Sequence, residues 1–438
     1  MAFAAPPPLA AASTTTSGSE RYTDYPMALG VITTVFFMWG LLTALNDILI
    51  PHLKSTFQLD YAQVMLVQST FFGAYFLMAL PSGKLVAALG YKNGVVAGLT
   101  VAGVGALGFW PAAALHLYSA FLAALFVLAT GITVLQVAAN PYVSLLGPER
   151  TSSSRLTLAQ ALNSLGTALA LWYGGKLILS SVVKSPGDIA GLTSADQLAY
   201  QTQQAHAVQG PYIGLAVVLF LLAVFVWLFR LPALREATDK ADVVHHTYVD
   251  VLRHPHVLFG VIGIFFYVGA EVSIGSAMVN YLSMPNIGHI SEQQAAYYTS
   301  FYWGGAMVGR FLGSWLTAFL SPRKLLASFA AINALLVLTT MLSSGNVAMY
   351  SIIAIGLFNS IMFPTIFALS IERLGPMTSK ASSLLIMAIV GGAVIPYLLG
   401  LFADHIGLQH AFVLPLLCYA YIIFYGLRGS RIRSAASI

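Results

Sequence analysis

The sequence predicts an all-α integral membrane protein with twelve transmembrane helices in two six-helix, pseudo-symmetric halves. Three observations lead there: too few charges for a water-facing surface, twelve apolar runs of spanning length, and a pattern that repeats half a chain apart. Of the 438 residues, 58% are hydrophobic and 8% charged, whereas soluble domains carry about 25% charged residues. The formal net charge of +5 does not mark a nucleic-acid partner. The basic residues stand in short segments between apolar runs, where they set membrane topology. Cys418 is the single cysteine, which excludes an internal disulfide and reads as a small buried hydrophobe.

A spanning helix needs about 20 mostly apolar residues. Residues 1–24 are rich in Ala, Pro, Ser and Thr and read as a disordered tail without the basic start of a signal peptide. Helices are then expected near 26–51, 61–83, 94–115, 119–147, 156–180 and 210–229 in a first half, 25–229. Those of a second half, 257–428, are expected near 257–282, 294–320, 325–343, 348–371, 382–402 and 410–427. The polar stretch 181–209 reads as an outer loop, the charged stretch 230–256 as a cytoplasmic linker, and 429–438 as a second cytoplasmic tail. With the N-terminus inside, 16 of the 20 Lys and Arg fall on the inner side, three (Lys54, Lys176, Lys184) outside, and Arg310 within a helix. The positive-inside rule therefore places both termini in the cytoplasm.

The halves repeat in sequence. Phe36-Phe37-Met38-Trp39-Gly40 in helix 1 is matched by Phe265-Phe266-Tyr267-Val268-Gly269 in helix 7. Pro141 with Glu149-Arg150 after helix 4 is matched by Pro364 with Glu372-Arg373 after helix 10. Leu165-Gly166-Thr167-Ala168 in helix 5 is matched by Val390-Gly391-Gly392-Ala393 in helix 11. Two parallel six-helix repeats resemble the major facilitator superfamily, whose substrate lies between the halves near the bilayer midplane.

Specific stretches narrow the resemblance. Asn46-Asp47-Ile48-Leu49, Ala138-Ala139-Asn140-Pro141-Tyr142, Gly147-Pro148-Glu149 and the run Arg155 to Ser164 resemble the fucose–proton symporter family. So do Tyr267-Val268-Gly269-Ala270 and Phe363-Pro364-Thr365-Ile366-Phe367. The resemblance covers roughly 26–428 and implies uptake of a hexose across a bacterial inner membrane, driven by a cation gradient. Fucose-specific members carry a carboxylate at the position of Gln136 and an amide at that of Glu271. The stretches Leu135 to Pro141 and Gly269 to Ser273 look more like the glucose/galactose branch. The superfamily's acidic and basic loop between helices 2 and 3 is degenerate here, since Gly83 to Lys92 holds no acid.

Two acids lie well inside expected helices, Asp47 and Glu271. A charge at the bilayer centre costs about 2.5–3.5 kcal/mol, tolerable if it faces a wet cavity, a cation or a proton. Asp47 is the expected coupling site, and Glu271 a substrate ligand or second cation ligand. Protons are favoured as the coupling ion, with sodium possible because backbone carbonyls and amides such as Asn46 or Gln136 offer further oxygens. Asn46, Gln136, Asn140, Gln160, Asn163, Tyr267, Glu271 and Asn280 are the expected substrate-binding residues. Side-chain amides both donate and accept, as sugar hydroxyls do, and rings such as Trp39, Tyr142, Tyr302 and Trp303 can cover a pyranose. The plainer reading of each is helix–helix hydrogen bonding or packing.

Glu149, Arg150, Arg310, Glu372 and Arg373 are expected near the cytoplasmic ends, as ion pairs that latch an inner gate or as ordinary interfacial charge with Arg310 snorkelling inward. His245, His246, His254 and His256 lie in the linker without cysteines, so no metal site is expected, nor any cofactor. An enzyme would need a nucleophile–base pair or metal cluster at helix depth, and no His lies deep in an expected span. The competing readings are a transporter of fucose or N-acetylglucosamine on the same fold, a solute exporter, and a nutrient sensor.

Overall fold

The computed structural model describes residues 25–57, 61–115, 117–170, 191, 193–232 and 246–432. Grouped by continuity, they form twelve long helices. The first six are α1 (Pro26–Phe57), α2 (Tyr61–Leu89), α3 (Tyr91–Ala114), α4 (Tyr118–Leu145), α5 (Ser152–Leu169) and α6 (Ser194–Leu228). A short linker helix, Tyr248–Leu252, precedes α7 (Pro255–Leu282), α8 (Glu292–Phe319) and α9 (Pro322–Leu342). Then come α10 (Gly345–Asn359 and Met362–Ser370), α11 (Thr378–Met387 and Gly391–Ile406) and α12 (Val413–Phe424). We call the face holding the start of α1 and the turns α4–α5 and α10–α11 basal, and the opposite face distal.

Among the described residues, ten helices are long and apolar enough to cross a membrane by composition. The other two are α5 and α8; of the expected span of α5 only the part to residue 170 is described. They pack on each other across the molecule and carry the polar groups of that seam, including Ser154, Ser164, Arg310 and Ser314. Helix α8 still faces outward along one side, with Phe311, Trp315 and Phe319 exposed, while its seam residues Arg310 and Ser314 face α5. Helix α4 is the opposite case. Every residue from Leu128 to Ser144 is buried, and the exposed large side chains, such as Leu77, Trp227, Phe319 and Leu342, lie on other helices, as a lipid-facing rim requires.

The sequence repeat has a structural counterpart. A Cβ on Gly166 would overlap the carbonyl oxygen of Phe37, so α1 and α5 touch backbone to backbone. A Cβ on Gly391 would overlap the carbonyl of Phe265, so α7 and α11 cross in the same way. The paired glycines of the two halves thus serve the same close crossing.

The expected outer loop needs correction. Thr193 caps α6, with its side chain accepting from the Asp196 N–H, and the helix runs from Ser194. Residues 194–209 therefore extend α6, whose Pro211 lies inside the helix. Their polar composition reflects helix beyond the apolar span, a case that hydropathy alone reads as loop. The expected helix near 156–180 is seen only to residue 170; the rest lies outside the described residues. So do the tails 1–24 and 433–438 and most of the linker, 233–245.

Candidate functional site

A cavity of about 370 Å³ lies between the halves, within the range of small-molecule sites. Helices α1, α2 and α5 supply one wall and α7 and α8 the other. The polar groups are Gln68, Tyr75, Asn163 and Glu271, and the indoles of Trp39 and Trp303 flank them. On α2, Gln68, Phe71, Phe72 and Tyr75 follow an i, i+3, i+4, i+7 spacing, which brings them to one helical face.

Tyr75, Asn163 and Glu271 are held in place by partners outside the cavity. Asn163 Nδ2 donates to the Phe36 carbonyl at 2.9 Å, which leaves its oxygen to face a ligand. Gln136 Nε2 donates to the Tyr75 hydroxyl at 2.5 Å, so Gln136 reaches the cavity through Tyr75. Trp303 packs over Gly275, where a Cβ would meet its indole.

Glu271 pairs with Arg310, Oε1 to Nη2, at 3.6 Å, and Arg310 Nη1 donates to Ser164 on α5. Arg310 therefore turns inward from the helix end, and its guanidinium meets Glu271 rather than the charges at the rim. It lies nine residues inside the basal end of α8, about 14 Å at 1.5 Å per residue, because the buried carboxylate draws the guanidinium inward. Glu271 is backed by a polar network on α7, α8, α9, α10 and α12. Tyr302 donates to the Glu271 carbonyl at 3.2 Å. Asn359 donates to Tyr302 at 2.8 Å and accepts from Asn333 at 2.9 Å and Tyr419 at 2.8 Å.

The remaining expected ligands separate. Tyr142 donates to the Pro232 carbonyl at 3.0 Å, whereas the Tyr267 hydroxyl, 3.2 Å from the Asn359 carbonyl, is also a hydrogen-bond partner of the Glu271 side chain. Tyr302 likewise serves the network. Gln160 is buried in α5, and Asn140 is buried in α4 with both amide atoms unpartnered among the described residues. Asn280 is exposed at the distal end of α7, away from the cavity. The Asn46 and Asp47 side chains lie outside the described residues. Gln68, Tyr75, Phe71, Phe72 and Ser164 were not expected; the polar-aromatic stripe on α2 was the signal for the first four.

Basal to the cavity the halves are sewn together. Ser154 Oγ donates to the Ser314 carbonyl at 2.7 Å, and Ser314 Oγ returns the bond to the Ser154 carbonyl at 3.0 Å. Pro141 lacks an N–H, which leaves the Val137 carbonyl without its helical donor; Ser382 Oγ on α11 supplies one at 2.9 Å. Tyr248 of the linker helix donates to the Leu80 carbonyl at 2.8 Å, and Lys380 donates to the His246 carbonyl.

At the rim, Glu149 pairs with Arg373 across the halves at 3.7 Å, and Arg323 with Glu372 within the second half at 2.6 Å. Arg373 holds a left-handed backbone, φ 58°, uncommon for a residue with a Cβ. Burial pushes the Glu372 carboxyl above its ordinary value, against the opposing pull of Arg323. Arg150 lines the same rim. Arg155 donates to the carbonyls of Val143, Ser144, Gly147 and Pro148 and so closes the C-terminus of α4. Among the described residues no group of side chains is arranged to hold a metal ion.

Comparison with known proteins agrees with this architecture. The glucose/galactose transporter of Brucella abortus (strain 2308) is 48% identical over 408 residues, covering 93% of this chain and 95% of the relative. The L-fucose-proton symporter of Escherichia coli K12 is 35% identical, covering 93% and 94%. A crystal structure of the E. coli fucose:proton symporter superposes with a TM-score of 0.87 at 33% identity, covering 93% of this chain and 100% of that one. A second structure of that transporter, described as in the outward conformation, gives 0.86 at 33% identity, covering 92% and 98%. The profile of the Major Facilitator Superfamily matches residues 27–386. Twelve helices in two glycine-crossed halves around a central cavity, with relatives aligned over nearly their full length, make this chain a multi-pass membrane protein that belongs to the Major Facilitator Superfamily.

Proposed function

We propose that this protein is a proton-coupled sugar symporter that imports glucose or galactose by alternating access across a bacterial inner membrane. The observation that carries the reading is the central cavity, where two indoles flank Asn163, Gln68 and Glu271. Amides and a carboxylate match sugar hydroxyls, and indoles match the apolar face of a pyranose. The identity to transporters named for glucose and galactose supports the sugar class, and the fucose–proton symporters support proton coupling.

The basal face is cytoplasmic in this proposal, as are both termini and the linker 230–256, because Lys and Arg concentrate there. Glu271 is a substrate ligand rather than the proton carrier. Protonating it would leave Arg310 as a buried cation without its counter-charge. Asp47 carries the proton, being the other acid well inside a span. Asn163 contacts the sugar directly, and Gln136 acts through Tyr75. The seal of Ser154–Ser314, Val137–Ser382 and Glu149–Arg373 closes the cytoplasmic side and opens as the halves rock.

Proteoliposome uptake of labelled glucose, galactose, fucose and N-acetylglucosamine under imposed gradients tests the proposal. Accumulation of glucose or galactose with an inward proton gradient, abolished by a protonophore, is the expected result. Accumulation that needs sodium and survives the protonophore would refute proton coupling; fucose or N-acetylglucosamine as the preferred solute would refute the substrate assignment.

A further inference from the structure

We propose that a second pocket, on the basal face, binds a small phosphomonoester with a sugar-sized polar body, and that its occupant holds the two halves closed. The pocket measures about 550 Å³ and lies beyond the α5–α8 seam from the central cavity. Its walls come from both halves: Ser144, Arg150 and Ser153 from the first, Arg323, Arg373 and Thr378 from the second.

Charge points to an anion. Three guanidinium groups line the pocket with two carboxylates, Glu149 and Glu372. Both carboxylates are engaged, by Arg373 at 3.7 Å and Arg323 at 2.6 Å. Among the described residues no ion pair engages Arg150, so one full positive charge is left for a ligand. Guanidinium forks match phosphate oxygens in geometry as well as charge.

Two further observations point the same way. Ser144 lines the pocket; the residue is only 4% exposed, and its buried Oγ has no hydrogen-bond partner among the described residues. A buried hydroxyl left unpaired is costly, and a ligand hydroxyl or phosphate oxygen would satisfy it. At the start of α9, Ser321 provides no side-chain cap, and Ser321, Pro322 and Arg323 all line the pocket. An uncapped helix start adds N–H donors and a positive dipole end to the guanidinium groups. The volume exceeds what a lone tetrahedral anion fills. The hydroxyls of Ser144, Ser153 and Thr378 offer a polyol body its own partners.

The consequence follows from where the walls originate. Arg150 and Arg373 stand on opposite halves, so the pocket is complete only while the basal face is shut. A ligand that binds this arrangement stabilises it by mass action and slows opening. Resting on the transport reading, the basal side is where a kinase-class reaction would phosphorylate the imported hexose. The ester would then act as a brake on its own supply.

The test uses the full-length protein in zwitterionic nanodiscs, read by thermal unfolding and direct titration. Glucose 6-phosphate is expected to raise Tm in the wild type. Ser144→Ala and Arg150→Gln should each weaken its binding at least about tenfold while keeping the Tm shift caused by galactose, which shows that both variants are folded. No shift with the ester, or an undiminished shift in both variants, overturns the proposal. Inorganic phosphate acting as strongly as the ester overturns the assignment of a sugar-sized body. Stabilisation by phosphatidylglycerol nanodiscs alone, with nothing added by the ester, assigns the site to a lipid headgroup and also overturns it. Galactose serves as the independent control, because its failure to bind would count against the transport reading and leave the ester result standing.

Discussion

Glu271 and Arg310 show how one buried pair can organise a site. Their side chains are 12% and 16% exposed, so each is the other's main compensation for leaving water. Arg310→Gln is expected to destabilise the protein by about 3–5 kcal/mol, because it strands a buried carboxylate. The double variant with Glu271→Gln should recover most of that loss. Chemical unfolding of the two singles and the double would check this, and an additive double would show that the pair is not coupled. At Asn163 the expectation concerns binding. Asn163→Ala removes a cavity amide and its bond to Phe36, and should weaken galactose binding by about 1–3 kcal/mol in titration. The acids and amides themselves were legible in the sequence, since polar groups inside apolar runs stand out. Their partners were not. Arg310 is 39 positions from Glu271 and Tyr75 is 61 from Gln136, and only the packing of helices brings such pairs within reach.

At the scale of elements, a proline that costs one helix a bond gives the other half something to hold. Ser382→Ala would leave the Val137 carbonyl buried without a donor, a loss of about 1–3 kcal/mol. Most of it falls on the basally closed state, so the variant should shift toward basal opening, read by labelling of a cysteine placed beside the seam. The pair Pro141 and Pro364 also shows a limit of reading repeats. Helix α4 continues through Pro141, whereas α10 breaks at Ser360–Ile361 before Pro364. Cross-half support for Val137 is a tertiary fact that the matched sequence positions do not reveal. The linker helix offers a pH test. Asp250 closes a capping box with Thr247, and hydrogen bonds from the Thr247 backbone and side chain, with a smaller pull from Arg253, hold its carboxyl below the ordinary value of 3.8. A depressed carboxyl favours the folded cap above its unfolded pKa and loses that contribution as pH falls through the folded one. Hydrogen exchange in 247–252, corrected for intrinsic rates, should stay slow at neutral pH and quicken below about pH 4. Exchange that does not change across that window would deny the cap its role.

For the whole molecule, the basal seam predicts that closing it permanently stops transport and spares ligand access. Ser154 and Ser314 approach with their hydroxyl oxygens 3.4 Å apart, a spacing compatible with a disulfide between cysteines placed there. Oxidised Ser154→Cys/Ser314→Cys protein should lose uptake yet still bind galactose from the distal side, and reduction should restore uptake. The buried native Cys418 leaves the engineered pair as the reactive thiols. Uptake that continues in fully cross-linked protein would show that this seam does not open in the cycle.

The sequence by itself determined that the chain is a membrane protein, where nearly every helix lies, and that two halves repeat. These depend on local quantities: apolar length, charge placement, and glycines at matched positions. It misread 194–209, because polar residues that extend a helix beyond the apolar span look like loop to hydropathy. It left Arg310 open between a gate charge and a side chain that turns inward, because a charge near a helix end is ordinarily interfacial. Tertiary structure alone decided that α5 and α8 pack polar faces together, that α2 brings Gln68 and Tyr75 to the cavity, and that Arg310 turns inward to Glu271. Each of these depends on which face of one helix meets another, and the side chains that satisfy a buried polar group are set by that contact rather than by neighbours in the chain.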